Sequence, residues 1–369
     1  MVIPFKYGQI VSGKDFCGRK ALIGQILGYV TSGQNIVVLG ERRIGKSSLV
    51  YQGLKNRKEG RFLYIDLMGV KSNDALCRRI LRAIVTFQQG AGWLARVVKS
   101  LAHLKPSIST DPVTGLPTVS FDTSVEMNAR SVPEVLELVE SVKGKKALVV
   151  VLDEFQDVLN VEDTRETLAL LRGKIQFQRD IPYVFVGSIR HKMDAIFSDH
   201  DSPFFKSAIP ITVSSLPDEE FTDFLKKKFA SGDRNVADGL LERVFEISHR
   251  VPGDVQQLCE ALWEITEEGE TLGDKSLKHA LELIFSREQK SYESYLALLT
   301  DLQQRCLKTL ARVGGENVFS KAFMRAGGFT NASSVRRAVH RLTDLNILYK
   351  EANGYRFINP FFRAWLLTL

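Results

Sequence analysis

The chain has 369 residues, 44% hydrophobic and 25% charged, with a formal net charge of +7. That length supports about two or three domains, each able to bury its own core, and the composition is that of a globular protein rather than a disordered or fibrous one. The start, MVIPFKYGQI, does not read as a signal peptide, no run approaches the roughly 18 apolar residues of a membrane span, and the scattered Cys17, Cys77, Cys259 and Cys306 lack the spacing of a zinc site or disulfide framework. The expected home is a reducing cytoplasm.

The first strand-like run is NIVVL (35 to 39), followed by GERRIGKSSLV (40 to 50). This segment spells GxxxxGK[ST], with Gly40, Gly45, Lys46 and Ser47 in the fixed places between a strand-like and a helix-like stretch, which is the context a phosphate-binding loop requires. Glycines let the backbone curl so that successive N–H groups point at an anion, and the following helix adds its positive end. Lys46 is expected to reach the β- and γ-phosphates and the Ser47 hydroxyl to take a place on Mg²⁺.

Further apolar runs lie at RFLYIDL (61 to 67), KALVVVL (146 to 152), PYVFVG (182 to 187) and IPITV (209 to 213), with helical patterns between most of them. Such runs alternating with helices predict an α/β fold with a parallel sheet covered on both faces. An insertion at about 88–130 contains KPSISTDPVTGLPTVSF, whose Asp-Pro and Thr-Gly pairs suggest a hairpin.

In VVVLDEFQDV (149 to 158) a buried strand delivers Asp153 and Glu154 at its carboxyl end, where α/β sheets place their ligands. Asp153 is the candidate to hold Mg²⁺ through its water shell, and Glu154 to orient or deprotonate the water that attacks the γ-phosphate. No NKxD-type guanine-reading segment is present, so ATP is expected rather than GTP. The next strand ends in YVFVGSIRH (183 to 191). Ser188 there is a candidate to hold water or γ-phosphate and also a candidate helix cap. Arg190, Lys192 and Lys206 are the nearby cations that could meet the γ-phosphate in the transition state.

After Leu216 the strand signal stops, and PDEEFTDFLKKKFA, VADGLLERVFEISH and DVQQLCEALWEI read as successive amphipathic helices. From Asp301 to Leu369 there are 11 Lys and Arg against 4 Asp and Glu, while the other 300 residues carry 39 of each sign. The basic character therefore belongs to the C-terminal segment. There NASSVRRAVHRLTDLNIL places Val335, Val339, Leu342 and Leu345 on one helical face and Arg336, Arg337, His340 and Arg341 on another. LYKEANGYRFINP alternates around Asn353 and Gly354, a strong hairpin signal. Helices followed by such a hairpin resemble a winged helix, whose basic helix could enter a DNA major groove or dock on a protein.

Taken together, FCGRKALIGQIL (16 to 27), LGERRIGKSSL (39 to 49), VVVLDEFQDV, VFVGSIRHKM (184 to 193) and SHRVPGDVQQLCEAL (248 to 262) resemble the archaeal-type ATPases of the STAND class, within the AAA+-related P-loop NTPases. The resemblance extends over nearly the whole chain. It implies a sheet order 5-1-4-3-2, a core at 1–215, an all-helical lid at 216–298 and a winged helix at 299–369. It also implies nucleotide contacts from Phe16, Gly18 and Arg19, from the loop residues Gly40, Arg43, Ile44, Gly45, Lys46, Ser47 and Ser48, and from Pro252. The family's GxP reads Arg250, Val251 and Pro252 here, its relatives' GDxR reads Gly253, Asp254, Val255 and Gln256, and Lys206 stands where relatives often have an arginine. The expected activity is a Mg²⁺-dependent, slow ATPase working as a molecular switch. The alternatives are a DNA-acting AAA+-like ATPase of the initiator or transposition-helper type and a nucleotide-binding scaffold without turnover. The implied partners are ATP and ADP, a protein or DNA at the winged helix, and a second copy of the chain.

Overall fold

The computed structural model describes residues 3–57, 60–87, 106–110, 117–121, 126–143, 147–188, 190–351 and 354–369. They divide into two compact units, Ile10–Ser214 and a second made of Met1–Gln9 with Ser215–Leu369.

The first unit runs α1 (Lys20–Thr31), β1 (Ile36–Leu39), α2 (Lys46–Lys55), β2 (Arg61–Asp66), α3 (Asn73–Phe87), β3 (Pro106–Thr110), β4 (Pro117–Phe121), α4 (Ser131–Lys143), β5 (Leu148–Asp153), α5 (Thr164–Ile175), β6 (Tyr183–Gly187), α6 (Arg190–Phe197) and β7 (Ile209–Thr212). β2, β5, β6, β1 and β7 form, in that order, one parallel five-stranded sheet. Numbered along the sheet-forming strands this is the expected 5-1-4-3-2. It sets β6, and so Ser188, between the phosphate loop after β1 and Asp153 at the end of β5.

The continuous apolar runs of β1, β5 and β6 follow from burial on both faces. Along β5, Leu148, Val150 and Leu152 join one core, with Leu76, Ile80 and Ile84 of α3, Val132, Leu136 and Val139 of α4 and Leu171 of α5. Val149 and Val151 join the other, with Ile26 and Val30 of α1 and Leu49, Val50 and Leu54 of α2. Side chains alternate along a strand, so Asp153 continues the face of Val149 and Val151, the face that α2 covers. β3 and β4 pair antiparallel, as the hairpin reading expects; the rest of the 88–130 insertion is only partly described, and residues 88–105, 111–116 and 122–125, including the turn, lie outside the described residues.

The second unit runs α7 (Asp218–Ala230), β8 (Asn235–Val236), α8 (Leu240–Ile247), α9 (Pro252–Glu264), β9 (Thr271–Leu272), α10 (Asp274–Ala297), α11 (Asp301–Val313), α12 (Lys321–Ala326), α13 (Ala332–Asp344), β10 (Leu348–Glu351), β11 (Gly354–Phe357) and α14 (Pro360–Leu366). Its helical segment also holds a parallel ladder between β8 and β9, two residues a strand and too short for a periodic signal. Phe5 of the N-terminal segment packs against Phe229, tilted, and edge-on against Trp263. Arg287 of α10 pairs with Glu260 of α9 at 2.8 Å and with Glu264.

The C-terminal part has its own core, in which Cys306, Leu307 and Leu310 of α11 meet Val335, Val339 and Leu342 of α13 and Phe357 of β11, together with Tyr292 of α10. β10 and β11 form the expected antiparallel pair, Leu348 facing Phe357 and Glu351 facing Gly354; Asn353, expected in the turn, lies outside the described residues. Among the described residues no helix is long and apolar enough to cross a membrane.

Candidate functional site: a phosphate loop facing two carboxylates

The loop between β1 and α2 is shaped by backbone that few side chains tolerate. Arg43 has φ +60° and Gly45 φ +93°, in the left-handed region where a Cβ is penalised. Gly40 is needed for space: a Cβ there would lie 2.7 Å from the Val213 carbonyl oxygen. Ile44 is buried and anchors the loop in the core shared with Leu49 and Val213. Lys46 opens α2 and is 5% exposed. Its Nζ donates to the Glu41 carbonyl at 2.6 Å, and burial holds its pKa at about 8 against an ordinary 10.5, opposed by the nearby Glu154 and Asp153 carboxylates. A buried cation at a helix N-terminus is suited to an anion.

Opposite the loop, β5 ends in Asp153, 7% exposed. Glu154 follows at φ +52°, leading into a 3-10 helix, Phe155–Asn160. The positive φ turns Glu154 out of the strand, while Phe155 is buried against Phe185, Phe197 and Phe204, which pins the turn from below. Asp153 Oδ1 accepts the Glu154 amide at 2.9 Å. Ser188 Oγ donates to Glu154 Oε2 at 2.9 Å, so the structure brings together Ser188 and Glu154 from neighbouring strand ends. Asp157 accepts the Gly69 amide at 2.7 Å, tying the 3-10 helix to the loop after β2.

Asp153 and Ser47 share a neighbour. The Tyr64 hydroxyl of β2 donates to Asp153 Oδ2 and lies near Ser47; burial and the Asp153 charge push its pKa above the ordinary phenol range. The carboxylate and the serine hydroxyl thus both lie near the Tyr64 hydroxyl. One carboxylate and one hydroxyl beside an anion cradle is a donor set that fits Mg²⁺, which keeps several waters and takes few protein ligands. Among the described residues no group of three or more His, Cys, Asp or Glu is placed to hold a metal ion.

The segment before α1 also reaches the loop. Gly18 has φ +65° and Arg19 φ +60°. Arg19 Nη2 donates to the Ser214 carbonyl at 3.0 Å, and its Nη1 would lie 3.3 Å from a Cβ on Gly45. Burial lowers its pKa to about 10, with Cys17 opposing. Phe16 packs on the core beneath α1 and α2. Ser48 is engaged by the segment before α1: its hydroxyl accepts the Val11 amide at 3.1 Å.

Two of the other expected residues have partners of their own. Lys192 donates to Asn160 at 3.2 Å, and Lys206 lies over the Phe205 ring. Arg190 begins α6, but its side chain lies outside what is described. Pro252 begins α9 in the second unit, and Arg250 there is paired with Asp218 at 3.1 Å.

Sequence reasoning missed Tyr64 and Gln156. The register Tyr64 to Val151 and Asp66 to Asp153 puts Tyr64 on the face of Asp153, so sheet order combined with strand parity could have found it. Gln156, 2% exposed, gives no periodic signal, because its role depends on a single turn of 3-10 helix.

In the winged-helix part, Arg336, Arg337, His340 and Arg341 of α13 are all exposed, with Val335, Val339 and Leu342 turned inward. His340 pairs with Asp344 at 2.9 Å, and Arg336 lies over the Phe319 ring.

A family model described as a probable winged helix domain matches residues 290–368. No curated protein matches the chain. Among solved structures the chain is similar to a Walker-type ATPase of Pyrococcus abyssi, with a TM-score of 0.65, 16% identity and 99% of each chain covered. It is also similar to the ORC1 protein of Aeropyrum pernix in complex with DNA, with a TM-score of 0.54, 12% identity and coverage of 96% of this chain and 93% of that one. The ORC2 protein of the same organism, in ADPNP-ADP complexes, follows at 0.51, 14%, 95% and 91%. The fold is therefore that of the archaeal-type P-loop ATPases, with a parallel sheet in the order 2-3-4-1-5 and a C-terminal winged helix.

Proposed function

We propose that the chain binds ATP with Mg²⁺ at the loop Gly40–Ser47 and hydrolyses it slowly, as a STAND-type molecular switch. The observation that carries this reading is the buried Lys46 between the loop and the paired carboxylates Asp153 and Glu154. The loop amides and Lys46 hold the β- and γ-phosphates. Ser47 and Asp153 hold the metal, which when bound supplies neutralisation of the phosphate charge. Arg19, beside Gly45, adds a second cation to the same anion. Glu154 accepts a proton from, or orients, the attacking water, and Ser188 steers Glu154 or the γ-phosphate. Phe16, Gly18 and Pro252 are assigned to the nucleotide by family resemblance. The helical segment 216–298 and the winged helix 299–369 are assigned to convert nucleotide state into a change of conformation, which requires different contacts in the two states.

Thermal unfolding with ATP, ADP and GTP, each with Mg²⁺, tests the reading in parallel with Lys46→Ala. The expected result is stabilisation by the adenine nucleotides that the variant lacks; equal responses in both proteins would sink it. A second reading, a DNA-acting ATPase, is favoured by the exposed cationic face of α13 and by the likeness to a protein solved with DNA. ATP hydrolysis measured with and without duplex DNA separates the two, because stimulation is expected only for the second.

A further inference from the structure

We infer that Gln156 is a positioning residue for Glu154, a role that rests on the hydrolytic reading above. Gln156 lies two residues beyond Glu154 in the 3-10 helix and is almost completely buried. Its Oε1 accepts the Ser188 amide hydrogen at 3.3 Å, and its Nε2 donates to Glu154 Oε2. The amide has one orientation that satisfies both neighbours, because the Ser188 amide can only donate and an ionised carboxylate can only accept. Ser188 Oγ donates to that same Oε2.

The fork therefore spans the carboxyl ends of β5 and β6 and fixes one oxygen of Glu154 with two donors. Among the described residues both donors fall on Oε2, which leaves Oε1 to meet a water. A free glutamate would have to be ordered at each turnover, whereas here the ordering is built into the fold, held by Phe155 in its aromatic cluster. Reacting groups held in place in this way account for large rate factors, and a misplacement of about 1 Å costs roughly a hundredfold.

The test compares wild type with Gln156→Met, which keeps bulk and loses both hydrogen bonds, and Gln156→Glu, which sets a second carboxylate against Glu154. Single-turnover hydrolysis and ATP affinity are read with Mg²⁺, after thermal unfolding shows that each variant is folded. Gln156→Met is expected to lose about ten- to a hundredfold in rate with affinity within about twofold. Gln156→Glu keeps an acceptor for the Ser188 amide but has no amide hydrogen to donate to Glu154, and its rate is expected to fall at least as far. A rate loss matched by an equal loss of affinity, or an unchanged rate in Gln156→Met, overturns the proposal.

Should wild type and Glu154→Gln hydrolyse equally slowly, the hydrolytic reading fails by itself. The fork is then judged by hydrogen exchange at the Ser188 amide in the full chain. Exchange about tenfold or more faster in Gln156→Met keeps the fork as a structural clamp on Glu154, and equal exchange removes it.

Discussion

In the sheet unit, Lys46, Asp153 and Gln156 are withdrawn from water and each is tied to a named neighbour. On α13 of the winged helix, Arg336, Arg337 and Arg341 stand in solvent on the face opposite Val335, Val339 and Leu342. The first arrangement has met the desolvation cost of its charges during folding, so it can act on one ligand shape with fixed geometry. The second leaves its charges exposed, so an extended anion meeting them would gain mainly from released counterions. Cationic side chains thus stand in two settings, and burial separates them.

The sharpest way to break this comparison is Glu154→Gln. It is expected to lower single-turnover hydrolysis by about 10² to 10⁴ while ATP affinity holds, whereas replacing all three α13 arginines by glutamine should leave hydrolysis without DNA unchanged. Radiolabelled phosphate release reads both. Next, at about a hundredfold excess over Kd, Mg·ATP should stabilise the wild type by about 2.7 kcal/mol, and Lys46→Ala should remove that gain in a thermal melt.

If the α13 arginines each meet one phosphate, duplex affinity should fall with a log–log salt slope of about 2.7, roughly fortyfold between 50 and 200 mM. ATP affinity should change far less, because its counter-charges are buried. Fluorescence anisotropy at several salt concentrations measures both, and parallel slopes would show that burial does not separate the two sets of charges.

A smaller effect is expected at Gly40. A methyl group there meets the Val213 carbonyl, whose own amide is bonded to Leu39 at 2.7 Å, so both backbones are held and neither gives easily. Gly40→Ala should cost about 1–3 kcal/mol in chemical denaturation. Gly173→Ala, in a helix with open space around it, should instead stabilise by about 0.5–1 kcal/mol.

The smallest signal is a proton. Lys46 has a folded pKa near 8, below its ordinary 10.5, so the unfolded chain binds more protons between those values and the Lys46 contribution to stability rises with pH across that window. A bound triphosphate favours the charged amine, so ATP binding near pH 8.5 should take up a fraction of a proton and binding near pH 6.5 none. Calorimetry in buffers of different ionisation enthalpy detects the difference.

Much of the sheet unit was legible because its signals are local. The β1 run, the glycine pattern and Lys46 lie within sixteen consecutive residues, and the unbroken valine run ending in Asp153 announces a strand buried on both sides. Strand order came through the family resemblance, since periodicity alone does not rank strands. Tyr64 was not legible because its meeting with Asp153 depends on the register between β2 and β5. Gln156 was not because a single 3-10 turn sets its direction, and the role of Ser48 was not because the Val11 amide donates to its hydroxyl. In the second unit the amphipathic faces of α8 and α13 were plain; α9, expected to be amphipathic, is instead buried on every side from Asp254 to Trp263, and β8 and β9 pair residues more than thirty positions apart with no run to mark them.

One consequence follows from α10, the 24-residue helix Asp274–Ala297. Its early residues Leu277, Ala280 and Ile284 are buried, Arg287 is clamped to α9, and Tyr292 sits among Phe362 and Trp365 of the winged helix. At about 1.5 Å per residue it is a rod of roughly 36 Å with no proline or glycine inside it. A turn imposed at one end must therefore emerge at the other as a swing, like a key in a lock. A pair of glycines placed midway would let the handle turn while the bolt stays still.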